Sequence, residues 1–85
     1  MSEINHNVGK QIAAARALLG LGQVDLAKMA NISAPTLRRM ETGSEDVKPM
    51  TNNIRAVVAV LHGMGITFLG DGDRSVGVGV SLKQD

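Results

Sequence analysis

Apolar residues in the first part of the chain recur every three or four positions, which is the spacing of amphipathic helices. The first such pattern covers residues 8–19 and is followed by Gly20 and Gly22, which favour the end of a helix. A second, shorter pattern covers residues 23–30. Asn31 follows it, and asparagine is one of the few residues other than glycine that tolerate a left-handed backbone. Two helices joined by a short turn are therefore predicted.

Two further helices are predicted before residue 64. Ser33 is a good N-cap, and Pro35 falls in the first turn of the helix that would follow, where its missing N–H costs little. This third helix is expected to end near Gly43. Thr51 is the predicted N-cap of a fourth helix, which runs to about His62 and has one apolar stripe.

Beyond residue 65 the period of the pattern changes from helical to two, which is typical of a strand with one buried face. Residues 66–69 form the first predicted strand, and residues 70–73 form a turn. In the next segment Val76, Val78 and Val80 alternate with glycine and serine, which predicts a second strand. The expected fold class is mainly α, with four helices followed by a C-terminal β-hairpin.

The composition limits the number of domains, the chemistry, the location and the partners that can be expected of the chain. Eighty-five residues support one domain, and the absence of cysteine excludes disulfides and thiolate chemistry. No apolar segment resembles a signal peptide or a membrane span, so a cytoplasmic, nucleoid-associated protein is expected. The net charge is +1, but residues 1–55 carry seven Lys and Arg against five Asp and Glu. Any nucleic-acid surface is therefore expected in this part of the chain, and the single aromatic residue, Phe68, argues against base stacking on single strands.

Residues 23–43 satisfy the demands of a helix-turn-helix. Two helices that cross closely need a small residue at the crossing, and Ala27 supplies it. The turn needs a residue such as Asn31, and the second helix needs apolar anchors on one side only, which Leu37 and Met40 supply. The opposite side of that helix remains free for the edges of bases in the major groove.

At these residues the sequence resembles the Xre/Cro/C1 family of phage-type repressors, over roughly Gly9 to Leu69. The matching positions are Gln23, Leu26, Ala27, Ile32, Ser33, Leu37, Met40, Glu41 and Gly43. One departure is Asn31, where the family usually has glycine. The resemblance implies a lambda-repressor-like domain and a DNA-binding regulator. The expected organisation is a flexible N-terminal arm (residues 1–7), a helix-turn-helix DNA-binding domain (residues 8–64) and a hairpin for dimerisation (residues 65–85).

The resemblance also implies roles for particular residues. Gln23 takes the position of a glutamine that holds a phosphate, and Arg16 and Glu41 match a pair that ties the first helix to the third. The positions that face the groove are Ala34, Pro35, Thr36 and Arg39.

Chemistry supports the base contacts independently. Arginine binds guanine through two hydrogen bonds, which suits Arg39, whereas Arg38 points about 100° away and is expected to reach a phosphate or solvent. Lys48, Asn52, Asn53 and Arg55 are candidates for the flanking backbone. The predicted DNA-binding set is Gln23, Ser33, Ala34, Pro35, Thr36, Arg38, Arg39, Lys48, Asn52 and Arg55.

The second predicted strand is rich in glycine and valine. In so small a domain it would leave an exposed edge, whose unpaired backbone groups can hydrogen-bond to another chain. The hairpin is therefore predicted to form a two-fold interface through Ile66, Phe68, Val76, Val78 and Val80. The alternative is that the hairpin only covers the fourth helix of its own subunit. A dimer would place the third helix of each subunit in successive major grooves, about 34 Å apart, on an inverted-repeat operator.

The leading hypothesis is a sequence-specific regulator of transcription that binds double-stranded DNA as a homodimer. One alternative is an antitoxin-like protein whose hairpin binds a partner protein, while the helix-turn-helix serves autoregulation. Another is an adaptor that has lost DNA binding. No nucleophile, base and orienting group occur together, so the chain is not expected to be an enzyme, and no cofactor is expected. The calcium-loop-like residues 71–75 lack the required Gly and Glu further along, and His6 and His62 have no ligands at suitable spacing, so no metal is expected.

Overall fold

The computed structural model describes residues 8–42, 51–70 and 78–83. Within these ranges four helices precede a two-stranded antiparallel sheet. The helices are α1 (Val8–Leu19), α2 (Gln23–Ala30), α3 (Ala34–Thr42) and α4 (Thr51–Gly63), and the strands are β1 (Ile66–Leu69) and β2 (Gly79–Leu82). The predicted fold class, mainly α with a C-terminal hairpin, is confirmed.

Most of the predicted boundaries agree with the structure. The bounds of α1, α2 and β1 are those predicted from the pattern, and α4 extends one residue beyond His62. The second strand is shorter than predicted, because it begins at Gly79 and leaves out Val78. Val76 and Gly43, on which two of the predictions depend, lie outside the described residues.

The turn between α2 and α3 has the backbone that the sequence predicts. Asn31 adopts a left-handed conformation, with φ 60° and ψ 43°. Its N–H donates to the carbonyl of Lys28 at 3.1 Å, and the N–H of Ile32 donates to the carbonyl of Ala27 at 2.9 Å. These two bonds satisfy carbonyls at the end of α2 and direct the chain into α3.

All four helices and β1 contribute to one buried core. Its members are Ile12, Ala15, Leu26, Ala27, Ala30, Leu37, Met40, Ile54, Val57, Leu61 and Ile66. Leu37 and Met40 are the predicted anchors of α3, and both are buried. These two buried side chains therefore anchor α3 to the core, and the opposite side of the helix remains exposed.

The hairpin packs against the helices of its own chain. Ile66 pairs with Leu82 and Phe68 pairs with Val80, so these four side chains share one face of the sheet. Ile66 is only 1% exposed and belongs to the core, so its side chain is covered within its own chain, and its place in a dimer interface stays a prediction. Phe68 and Val80 are half buried and pack against the same core. The period-two pattern marks an apolar face correctly but does not say which surface covers it.

Strand β2 lies against α1, and β1 lies against α4. The side chain of Gln11, which is buried in α1, joins the two strands to that helix. Its Nε2 donates to the carbonyl oxygens of Leu69 at 2.9 Å and Gly79 at 2.7 Å, which belong to residues paired across the hairpin. Gln11 thus ties the end of the hairpin formed by Leu69 and Gly79 to α1.

Candidate nucleic-acid interface

Helix α3 has two faces of opposite character. Leu37, Met40 and Glu41 are buried, whereas Pro35, Arg38 and Arg39 are exposed. Thr42 continues the exposed face and closes the helix, since its hydroxyl donates to the carbonyl oxygen of Arg39 at 2.9 Å. Two guanidinium groups therefore extend from a helix whose other side is anchored in the core.

The start of α3 is fixed by a side-chain cap. The hydroxyl oxygen of Ser33 accepts a hydrogen bond from the N–H of Thr36 at 3.1 Å, as the predicted N-cap requires. The hydroxyl oxygens of Ser33 and Thr36 lie 2.7 Å apart and share a second hydrogen bond. Both hydroxyl groups predicted to face DNA therefore belong to one hydrogen-bonded pair. Ala34, between them, is half buried and packs against the core.

A network centred on Glu41 connects the first three helices. Arg16 of α1 donates from Nε to Glu41 Oε2 at 2.7 Å and from Nη2 to Glu41 Oε1 at 2.8 Å. Arg16 Nη1 also donates to the carbonyl oxygen of Leu21, between α1 and α2, at 3.1 Å. The third partner is Gln23, at the start of α2, whose Nε2 donates to Glu41 Oε1 at 2.9 Å. We call Arg16, Gln23 and Glu41 the Glu41 network.

The Glu41 network is largely removed from solvent. The side chain of Glu41 is 6% exposed, and that of Arg16 is 21% exposed. The hydrogen bond to Glu41 raises the pKa of Arg16 above its ordinary value; burial opposes this shift, and the charge of Glu41 adds to it. Arg16 therefore remains a cation, and the predicted pairing of the first helix with the third is observed.

The remaining predicted DNA contacts lie at the start of α4 and before it. Asn52 and Arg55 are exposed in α4, and Asn53 is half buried there. Lys48 lies outside the described residues. The structure thus describes α3, with two exposed arginines, and a second helix that carries polar side chains near its N-terminus.

Three features of this region were not predicted from the sequence. Gln11 was not singled out, although a buried glutamine in an otherwise apolar helix face is a signal of a specific hydrogen bond. The contact of Gln23 with Glu41 was not predicted either, because no local pattern links residues 18 positions apart. The third feature is Gly9, where the absence of a side chain allows α1 to approach α3 closely.

Two short helices joined by a tight turn, with the second anchored from behind and exposed in front, constitute a helix-turn-helix. A family model described as helix-turn-helix, HTH_3, matches residues 12–63, which is more than half of the chain. The chain therefore belongs to this family, whose members are DNA-binding regulators of the Cro/C1 type. The resemblance predicted from the sequence is confirmed. Comparison with curated proteins gives no match.

None of the helices described is long and apolar enough to cross a membrane. Among residues 8–42, 51–70 and 78–83, no three His, Asp or Glu side chains are grouped in a way that would hold a metal ion.

Proposed function

We propose that the protein is a sequence-specific regulator that recognises double-stranded DNA in the cytoplasm through the exposed face of α3. The observation that carries the proposal is the two-faced character of this helix, with Leu37 and Met40 buried and Arg38 and Arg39 exposed. Arg39 is assigned to a guanine, to which its guanidinium group donates two hydrogen bonds. Pro35, one turn earlier on the same side, offers apolar surface to a thymine methyl group.

Phosphate contacts are assigned to the flanking residues. Gln23 lies at the start of α2 and Asn52 lies in the first turn of α4, where free backbone N–H groups favour an anion. Arg38 and Arg55 add positive charge beside them, and Ser33, Ala34 and Thr36 complete the surface at the start of α3. Lys48 is proposed as a further phosphate contact on the basis of the sequence alone. These contacts would set the orientation of the domain, while Arg39 would read a base.

We also propose that the protein acts as a homodimer on an inverted repeat. The N–H of Lys83 donates to the carbonyl oxygen of Gly65 at 2.9 Å, and this marks the hydrogen-bonded pairs of the hairpin. Because such pairs alternate, the backbone groups of Val80 and Leu82 point to the outer edge of β2. Within residues 8–42, 51–70 and 78–83, no backbone hydrogen bond engages that edge. A second copy would pair there, beside Val78, which is 40% exposed.

The dimer is tested by sedimentation at tens of micromolar, roughly the range of a weak dimer. Wild type should sediment as a dimer, and Val78→Lys as a monomer with unchanged circular dichroism, because a lysine at the edge opposes pairing. Thr67→Lys is the matched control, since Thr67 is exposed on the other strand and does not border this edge. A monomeric wild type would contradict the dimer but not DNA binding.

DNA recognition is tested by selecting bound duplexes from a random pool. We expect a defined half-site and, if the dimer is correct, two copies of it in inverted orientation about one helical turn apart. Equal recovery of all sequences at low salt would contradict the proposal. The antitoxin-like alternative is less well supported, because the apolar face of the hairpin that would bind a partner packs against its own core.

A further inference from the structure

We infer that Glu41 is a positioning residue for DNA binding, which fixes the side-chain amide of Gln23 so that its nitrogen serves the phosphate. This inference rests on the proposed function, in which Gln23 contacts the DNA backbone. It concerns a residue that cannot itself touch DNA, since the side chain of Glu41 is 6% exposed. The observation that carries it is the hydrogen bond from Gln23 Nε2 to Glu41 Oε1, at 2.9 Å.

A glutamine amide has two ends of nearly equal shape and opposite hydrogen-bonding character. A neutral partner with both a donor and an acceptor would accept either end. Glu41 is different, because a carboxylate only accepts hydrogen bonds. If the amide of Gln23 turned over, its oxygen would face a carboxylate oxygen without a proton between them, so only one orientation is stable.

Arg16 holds both oxygens of the Glu41 carboxylate in place. Its Nε and Nη2 donate one hydrogen bond to each carboxylate oxygen, at 2.7 Å and 2.8 Å. The same pairing offsets the negative charge of Glu41, which would otherwise repel a phosphate near Gln23. The Glu41 network thus offers a nitrogen donor close to DNA without adding net charge there.

The consequence for binding concerns the second proton on Gln23 Nε2. One of the two protons is used by Glu41, and the other is the donor that a phosphate oxygen would accept. Because Glu41 belongs to α3 and Gln23 to α2, the network also sets the phosphate contact relative to the reading helix. A phosphate held at Gln23 then fixes the depth at which Arg39 enters the groove.

Substitution of Glu41 tests the inference, because loss of its charge and loss of its positioning role change DNA affinity in opposite directions. Glu41→Met removes a negative charge from a protein that binds a polyanion, so charge alone predicts tighter binding. Loss of positioning predicts the opposite, an affinity about three- to tenfold lower for specific and random duplexes alike, as expected for one lost hydrogen bond. Unchanged or tighter binding would overturn the inference.

A double-mutant cycle excludes a general loss of structure. In a Gln23→Ala background the amide is already absent, so Glu41→Met should no longer weaken binding. Equal effects in both backgrounds would show that Glu41 does not act through Gln23. Val57→Ala, in the buried part of α4 away from the network, is the control for lowered stability and should leave DNA affinity unchanged well below its melting temperature.

A measurement on wild type covers the case in which Glu41→Met does not fold. In a nitrogen-15 NMR titration with a duplex, one Gln23 side-chain proton should shift strongly and the other should keep its free-state position. Shifts of similar size for both protons would overturn the inference, because Glu41 would then hold neither of them. A wild type that binds no duplex would instead refute the proposed function, and this is established before any variant is compared.

Discussion

Gly9 of α1 and Met40 of α3 are in backbone contact. A β carbon added at Gly9 would overlap the carbonyl oxygen of Met40 and would lie 3.2 Å from the α carbon of Glu41. Close packing of these two helices therefore requires a residue without a side chain at position 9. The same approach allows Arg16, two turns further along α1, to reach Glu41.

Gly9→Ala should lower the free energy of unfolding by about 1–3 kcal/mol, because the overlap with backbone is relieved only by moving a helix. The higher helix propensity of alanine, worth about 1 kcal/mol, acts in the opposite direction. Gly63→Ala is the matched control, since a β carbon there has open space around it. Chemical denaturation measures both, and a Gly9→Ala protein as stable as wild type would contradict the required contact.

Gln11→Leu should release the hairpin from α1. The change keeps a side chain of similar size but removes the donor that serves the carbonyl oxygens of Leu69 and Gly79. We expect a loss of about 1–3 kcal/mol, because two hydrogen bonds of typical net strength are removed. Hydrogen exchange should accelerate most at the amides of β1 and β2, and much less at the buried residues of α2 and α3. Uniform acceleration over all elements would mean that Gln11 has no particular role in the hairpin.

Ser33→Ala should destabilise the start of α3 by about 1 kcal/mol, since the N–H of Thr36 would lose its acceptor. Ser33→Asp restores an acceptor and should recover most of the loss in stability. It also adds a negative charge to the proposed DNA surface, so it should weaken binding while it stabilises the fold. Thermal denaturation and DNA titration of the same two variants separate these effects, and parallel changes in both would contradict the assignment of Ser33 to the DNA surface.

Arg39→Ala should reduce affinity for the selected site by about 1–3 kcal/mol and flatten the preference at one base position. Arg38→Ala is the natural control, because both residues are exposed on α3 and carry the same charge. The control should weaken all duplexes alike and reduce the salt dependence of binding. Equal losses on selected and random DNA for Arg39→Ala would refute its role in reading a base.

Much of the fold follows from local patterns in the sequence. Helical periodicity and flanking glycines predict α1 and α2 to the residue, and the tolerance of asparagine for a left-handed backbone predicts Asn31. The cap at Ser33 is predicted from residue type and position in the same way. These features are local because each depends on the backbone within a few residues.

The features that were not predicted all depend on elements distant in sequence. Gln23 and Glu41 meet only because α2 and α3 cross, and Gly9 matters only because α1 passes close to Met40. Alternating valines in the hairpin indicate one apolar face, but not whether a second subunit or the same chain covers it. Ile66 is an example, since the pattern places it on an apolar face and the core of its own chain covers it.

The hydrogen bond from Gln11 to Gly79 joins positions 68 residues apart. During translation, the segment that forms α1 leaves the ribosome well before the one that forms β2, and at about 5–20 residues per second this delay lasts several seconds. Throughout that interval the surface of α1 that packs against β2 is uncovered. The nascent chain therefore passes through a stage in which its helices are complete but the surface of α1 that β2 will cover is still accessible to chaperones and to aggregation.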